Sequence, residues 1–126
     1  MTLRYVFLVT GSLIITLWGI AHLFGTKSVV NGFGSISLEN KQILTVEWIA
    51  EGVTLCFIGV LVLLVTSFAG PQNLVSVLVY QATAWMLVIM AGLTFVTGAK
   101  TSMARIKLCP LVKSIVAILF FLGSAL

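Results

Sequence analysis

The stretch from Ile43 to Phe68 constrains the fold more than any other part of the chain. It is apolar enough to cross a bilayer, since about 20 residues at 1.5 Å each span the hydrocarbon. Yet it contains Glu47 and Glu51, two of the three acidic residues in the protein. A carboxylate in the hydrocarbon costs roughly 2.5 to 3.5 kcal/mol, and two of them one helical turn apart repel each other. Other parts of the chain must therefore supply groups that offset this cost.

Three more apolar runs accompany this stretch and complete a membrane domain. Charged residues make up 8% of the 126 residues, whereas soluble domains average about 25%, so lipid must cover most of the surface. We predict a single all-α domain over 1–126, with helices at about 4–24, 43–68, 74–98 and 109–126. The first connection between these helices is of medium length, the second is a tight turn and the third is short. Such connections favour an up-down-up-down four-helix bundle. In the second helix, Gly52, Cys56 and Gly59 form a stripe of small residues that favours close helix packing.

The connection over 25–42 is too apolar for a freely solvated linker. Gly25, Gly32 and Gly34 interrupt helix, and Val29 and Phe33 are among its apolar residues. We expect this loop to fold back onto the membrane interface and cover the neighbouring helix ends. A simple surface loop is the alternative.

The lysine and arginine residues predict the orientation. Most of them fall in or near the first and third loops: Lys27, Lys41, Lys100, Arg105, Lys107 and, close by, Lys113. The other side has only Arg4. Because cations concentrate on the cytoplasmic side, we expect loops 25–42 and 99–108 in the cytoplasm and both termini outside. No basic run is interleaved with aromatic residues, so nucleic acid is not expected as a partner.

Polar groups from all four predicted helices fall at a similar depth. The candidate site comprises His22, Glu47, Glu51, Thr94, Thr97 and Lys113, with Trp18 and Trp48 beside them. Glu47 and Glu51 have the i,i+4 spacing that shares a helix face, so we expect one of them to hold a proton while His22 or Lys113 pairs with the other. Such a cluster can carry protons, hold a polar head group or perform acid–base chemistry on a lipophilic substrate. In the alternative, Glu47 and Lys113 extend to the interface and His22 bonds a carbonyl.

Catalytic and metal signatures are weak by comparison. One histidine and two glutamates do not make the paired Glu-x-x-His pattern of a di-iron bundle, and we predict no metal ligand. Cys56 and Cys109 are interpreted as reduced packing residues. No serine or cysteine has a base beside it in the sequence, so we predict no catalytic residue. The sequence names no cofactor.

Two short segments resemble a known group of proteins. At WGIAHLF (Trp18 to Phe24) and EWIAEG (Glu47 to Gly52) the chain resembles small four-span bacterial membrane proteins of the broad DoxX-like kind. That resemblance implies a compact bundle in the bacterial inner membrane, with polar residues facing a central pocket, in a group whose members sometimes accompany oxidoreductases. The chain also resembles small multidrug transporters in size and span number. Their essential glutamate lies in the first helix, where this chain has His22.

The function predicted from these features is binding rather than catalysis. The leading hypothesis is a membrane bundle whose pocket binds a lipophilic or quinone-like molecule, with proton exchange. The alternatives are an accessory subunit of a larger membrane complex, an enzyme acting on a lipid through Glu47 or Glu51 with His22, and a proton-coupled transporter. The lipid bilayer is the expected surrounding, and a homo-oligomer or a larger membrane complex both stay open as assemblies.

Overall fold

The computed structural model of the protein describes residues 2–98 and 104–126, which form a bundle of four helices. These are α1 (Leu3–Asn31), α2 (Leu38–Phe68), α3 (Leu74–Gly98) and α4 (Ala104–Ala125). Each contains a segment long and apolar enough to cross a membrane. The predicted all-α, four-helix membrane fold is confirmed.

The first connection is shorter than the predicted loop 25–42. Helix α1 continues through Gly25 to Asn31, and α2 begins at Leu38, so only residues 32–37 link them. Gly34 turns the chain with a φ of +77°, a conformation that suits glycine. Ser37 starts α2, because its hydroxyl accepts the backbone N–H of Asn40 at 3.1 Å, as an N-cap residue does.

The extra turns make α1 longer than the hydrocarbon is thick. A helix of 29 residues is about 44 Å long, whereas the hydrocarbon is about 30 Å thick. Val29 and Val30 lie in this extension and are buried. The apolar residues that suggested an interfacial loop therefore belong largely to the end of a helix.

The fourth helix also begins earlier than predicted. It starts at Ala104 rather than at residue 109, so Pro110 lies inside the helix and not in its first turn. Of the predicted cytoplasmic loop 99–108, residues 99–103 lie outside the described part of the chain, and 104–108 belong to α4.

Helices α1 and α2 make the closest contact in the bundle. A Cβ atom added to Gly19 would lie 2.7 Å from the carbonyl oxygen of Gly52, and one added to Gly52 would lie 3.0 Å from that of Gly19. A Cβ on Gly59 would meet the carbonyl oxygen of Ser12 at 2.7 Å. The two backbones therefore touch, and the small-residue stripe of α2 is the surface that allows it.

Helices α2 and α3 meet mainly at the end beside their connecting turn. There the Tyr80 hydroxyl lies 2.7 Å from Thr66 Oγ1, and Ser76 donates to the Val65 carbonyl at 3.3 Å. Helix α3 otherwise packs on α4, which in turn packs on α1. Toward the other end, α2 and α3 diverge and leave an open groove.

Candidate functional site

A fully buried lysine is the centre of the site. Lys113 on α4 is 0% exposed, and its ammonium group donates to Glu51 Oε1 on α2. It also donates to Thr94 Oγ1 on α3 at 3.1 Å. An ammonium ion inside a protein needs a compensating charge, and Glu51 supplies it. The ion pair joins α4 to α2, and the hydrogen bond to Thr94 adds α3. The alternative in which Lys113 extends to the interface is therefore wrong.

His22 is buried beside this ion pair in a fixed orientation. Its Nδ1 lies 3.2 Å from the Trp18 carbonyl oxygen. Since two acceptors would repel each other, Nδ1 carries the proton, and in the neutral ring Nε2 keeps its lone pair. The Trp48 ring stacks on the imidazole at 4.4 Å, and Trp48 Nε1 donates to the His22 carbonyl at 2.8 Å. Trp18 packs edge-on against the same ring.

Cys109 completes the site, although its sequence context predicts only a packing residue. Its Sγ accepts from Trp18 Nε1 at 3.4 Å and lies 3.8 Å from His22 Nε2. No base lies beside Cys109 in the sequence, and the imidazole that approaches its thiol comes from a distant helix. A signal was present in the sequence. Cys109 and Lys113 have the i,i+4 spacing that shares one face of α4.

These side chains form one group, which we call the polar cluster. It consists of His22, Glu51, Thr94, Cys109 and Lys113. Glu51 is negative and Lys113 positive, so the cluster is neutral overall when His22 and Cys109 are uncharged. It can accept and donate hydrogen bonds and exchange protons.

The remaining predicted residues lie around the polar cluster rather than in it. Trp18 and Trp48 flank His22, as described above. Glu47 and Thr97 are both exposed, and the Thr97 hydroxyl donates to the Leu93 carbonyl of its own helix at 2.7 Å. The expectation that one of two coupled acids holds a proton loses its basis, because Lys113 neutralises Glu51 while Glu47 lies exposed. His22 does bond a carbonyl, as the structural alternative foresaw.

The groove between α2 and α3 leads to the polar cluster. It has a volume of about 470 Å³, and Glu51, Thr94 and Lys113 lie in its wall. Glu47 and Thr97 also line it. Most of the remaining wall is apolar: Val29, Val30, Phe33, Leu44, Ala50, Met86, Met90 and Leu93. An apolar passage between two spans thus ends at an ion pair.

A second, smaller cavity approaches the site from another side. It has a volume of about 340 Å³ and is lined by residues of α1 and by Trp48, with His22 in its wall. Trp48 lines both this cavity and the groove. The indole therefore stands between the two spaces and covers the imidazole.

Comparisons with protein-family models, with curated proteins and with solved structures each found no match to this chain. The DoxX-like resemblance stays a prediction. Because one fold serves many functions, function has to be argued from the site itself.

Proposed function

We propose that the protein binds a lipophilic, quinone-like molecule in the groove between α2 and α3, with the polar head of the molecule at the polar cluster. The observation that carries the proposal is the continuity of an apolar groove with a buried ion pair. Small-molecule sites have volumes of about 300 to 1,000 Å³ and combine apolar walls with a few polar groups. The groove, at about 470 Å³, fits that description.

The polar cluster can recognise both redox forms of such a head group. A quinone carbonyl can accept the N–H that Lys113 gives to Thr94, whose own hydroxyl keeps its bond to the Met90 carbonyl at 2.8 Å. A quinol hydroxyl can donate to the carboxylate of Glu51. Glu51 is 26% exposed, whereas Lys113 is fully buried, so Glu51 is the member of the ion pair that a bound head group can reach. We therefore include proton exchange through Glu51 in the proposal.

The groove also supplies a route from the membrane. Met86 and Leu93 of α3 line the groove and are exposed and apolar, so a lipid-dissolved molecule can approach without crossing water. The site residues themselves need only bind and orient the head group. Non-enzymatic binding is the simplest function that this arrangement supports.

We further propose that the protein resides in a bacterial inner membrane with both termini outside. The excess of lysine and arginine on the side of the first and third connections supports this orientation. In a Cys56→Ser/Cys109→Ser background, Ser35→Cys should react with an impermeant maleimide only after the cells are opened. Gln72→Cys should react in intact cells. The reverse pattern would overturn the orientation.

Tryptophan fluorescence offers a direct test of binding. Trp85 faces outward, with 59% exposure, and Trp85→Phe removes its signal, leaving Trp18 and Trp48 near the site. Titration of this protein in lipid nanodiscs with decylubiquinone should give quenching that saturates. An accessory subunit without a ligand site would show only unsaturated, collisional quenching.

Two matched substitutions on α2 make the test specific. Ala50 lines the groove, and Ala50→Phe should weaken saturable quenching at least tenfold by filling it. Val53 is 53% exposed and is not among the residues lining the groove, so Val53→Phe should leave the quenching unchanged. Equal behaviour of the two variants would count against the groove as the binding site.

A further inference from the structure

We propose that His22, Glu51 and Cys109 form a binding site for one divalent metal ion of the zinc type. The proposal does not depend on quinone binding. Each residue offers one donor atom, and the three atoms all lie within 4.8 Å of one another. A thiolate, an imidazole and a carboxylate together suit Zn²⁺, which accepts sulfur, nitrogen and oxygen ligands.

The separations between the donor atoms leave room for a shared ion. His22 Nε2 lies 3.8 Å from Glu51 Oε2 and 3.8 Å from Cys109 Sγ, and Sγ lies 3.9 Å from Glu51 Oε1. A nitrogen and an oxygen 3.8 Å apart are too distant for a hydrogen bond. In a tetrahedral site with bonds of about 2.0 to 2.3 Å, a nitrogen and an oxygen ligand lie about 3.3 Å apart, and a pair that includes sulfur lies about 3.6 Å apart. The two distances from His22 Nε2 are therefore slightly longer than those of a formed site. The 3.9 Å contact of Sγ is to Oε1, the oxygen that Lys113 binds, and one donor atom from each of the three residues lies within 4.8 Å of the other two.

The surroundings of His22 have the arrangement of a metal-binding histidine. Such residues usually donate the distal ring N–H to a carbonyl or carboxylate, which fixes the tautomer and aims the other nitrogen at the ion. The Trp18 carbonyl takes this role toward Nδ1 at 3.2 Å. The lone pair of Nε2 is left in a buried position, with His22 only 4% exposed, on the side of Cys109 and Glu51.

Lys113 is compatible with the ion because it occupies one oxygen of Glu51. Its ammonium binds Oε1, which leaves Oε2, the oxygen closer to His22 Nε2, for the metal. A divalent ion, a Cys109 thiolate, the Glu51 carboxylate and the Lys113 ammonium sum to a single positive charge. Binding converts the thiol to a thiolate, so one proton must leave for each ion bound.

Three protein ligands leave the fourth position of a tetrahedral ion open. Open positions are the mark of zinc sites that hold water or a ligand atom, in contrast to closed structural sites. Since Glu51 also lies in the wall of the groove, an oxygen atom of a molecule in the groove is one candidate for that position.

Cobalt(II) tests the site because its spectrum reports thiolate ligation and tetrahedral geometry. The protein, purified without a histidine tag, should bind one Co²⁺ per chain with a thiolate-to-metal charge-transfer band and intense visible bands, and Zn²⁺ should abolish them. Cys56 provides the matched control, as the chain has two cysteines and Cys56 lies outside the site. The bands should persist in Cys56→Ser and disappear in Cys109→Ser.

Two results of the cobalt experiment would overturn the metal site. Absence of the charge-transfer band in the wild type, or its loss in Cys56→Ser with retention in Cys109→Ser, would overturn the proposal. A second measurement avoids any folding defect in Cys109→Ser. In Cys56→Ser, binding of Zn²⁺ should release about one proton per ion bound, because the Cys109 thiol becomes a thiolate. Binding of Zn²⁺ without proton release would likewise overturn the proposal.

Discussion

The two sides of helix α2 show opposite ways of packing helices in a membrane. Its contact with α1 is closed, with glycine backbones touching at Gly19, Gly52 and Gly59. Its contact with α3 is sparse and leaves the groove, which is bridged by the Lys113 ion pair. Because lipid provides no hydrophobic drive between helices, close packing on one side can hold α2 in place while the other side stays open. One side of α2 thus packs tightly on α1, and the other side lines an accessible site.

The largest expected effect is on the closed contact. Gly59→Leu should destabilise the bundle by more than about 3 kcal/mol, because the new side chain meets the Ser12 carbonyl at 2.7 Å and backbone cannot move aside as a side chain can. Gly92 is the matched control, since a Cβ added there has nothing within 4 Å. Unfolding by SDS, followed by circular dichroism, should show near-wild-type stability for Gly92→Leu. Equal stability of both variants would show that the α1–α2 contact is not close.

A smaller effect is expected from breaking the bridge across the open contact. Lys113→Met should destabilise the protein by about 2 kcal/mol, less than the 3 to 5 kcal/mol of a fully buried pair. The reason is that Glu51, at 26% exposure, can take up a proton when its partner is lost. The double variant Lys113→Met/Glu51→Gln should recover most of the loss in the same unfolding assay. If the loss of unfolding free energy in the double variant equalled the sum of the losses in Lys113→Met and Glu51→Gln, the two residues would not interact.

The smallest effect concerns the hydrogen bond from Lys113 to α3. Thr94→Val removes the acceptor at 3.1 Å and should cost about 1 kcal/mol. Thr97→Val, one turn away, removes a hydroxyl that bonds its own helix and should change stability by less than about 0.5 kcal/mol. If both variants had the same stability, Thr94 would contribute nothing to the bridge.

The fold and the depth of the site were predictable, because runs of about 20 apolar residues have few other uses. The depth of His22, Glu51, Thr94 and Lys113 followed from counting turns along each helix. The role of Cys109 could not be predicted in this way. It lies 87 positions from His22, and which face of α4 meets α1 depends on packing that one sequence does not reveal.

Glu47 is the opposite case, a residue that the sequence predicted in the site and that lies outside the polar cluster. Its i,i+4 spacing from Glu51 predicts a shared face, and both residues line the groove. Glu47 is nevertheless exposed, whereas Glu51 reaches Lys113. Contact with α4 is made at Glu51, one turn beyond Glu47, and the sequence does not show where that contact begins. The helical extension from Gly25 to Asn31 was missed because glycine was interpreted as a helix end. In a membrane bundle, neighbouring helices can sustain a helix through such a residue.

Photolabelling with a lipid-soluble azidoquinone tests the central claim most directly, because it maps where such a molecule binds. The recess between α3 and α4 is larger than the groove, at about 580 Å³, but Ser114 is the one polar side chain among its described lining residues. If the ion pair directs binding, peptide mapping should find the label on Trp48, Met86 and Met90, and excess decylubiquinone should remove it. Label concentrated instead on Phe95 and Leu111 of the recess, or spread evenly over the lipid-facing helices, would contradict the proposed site.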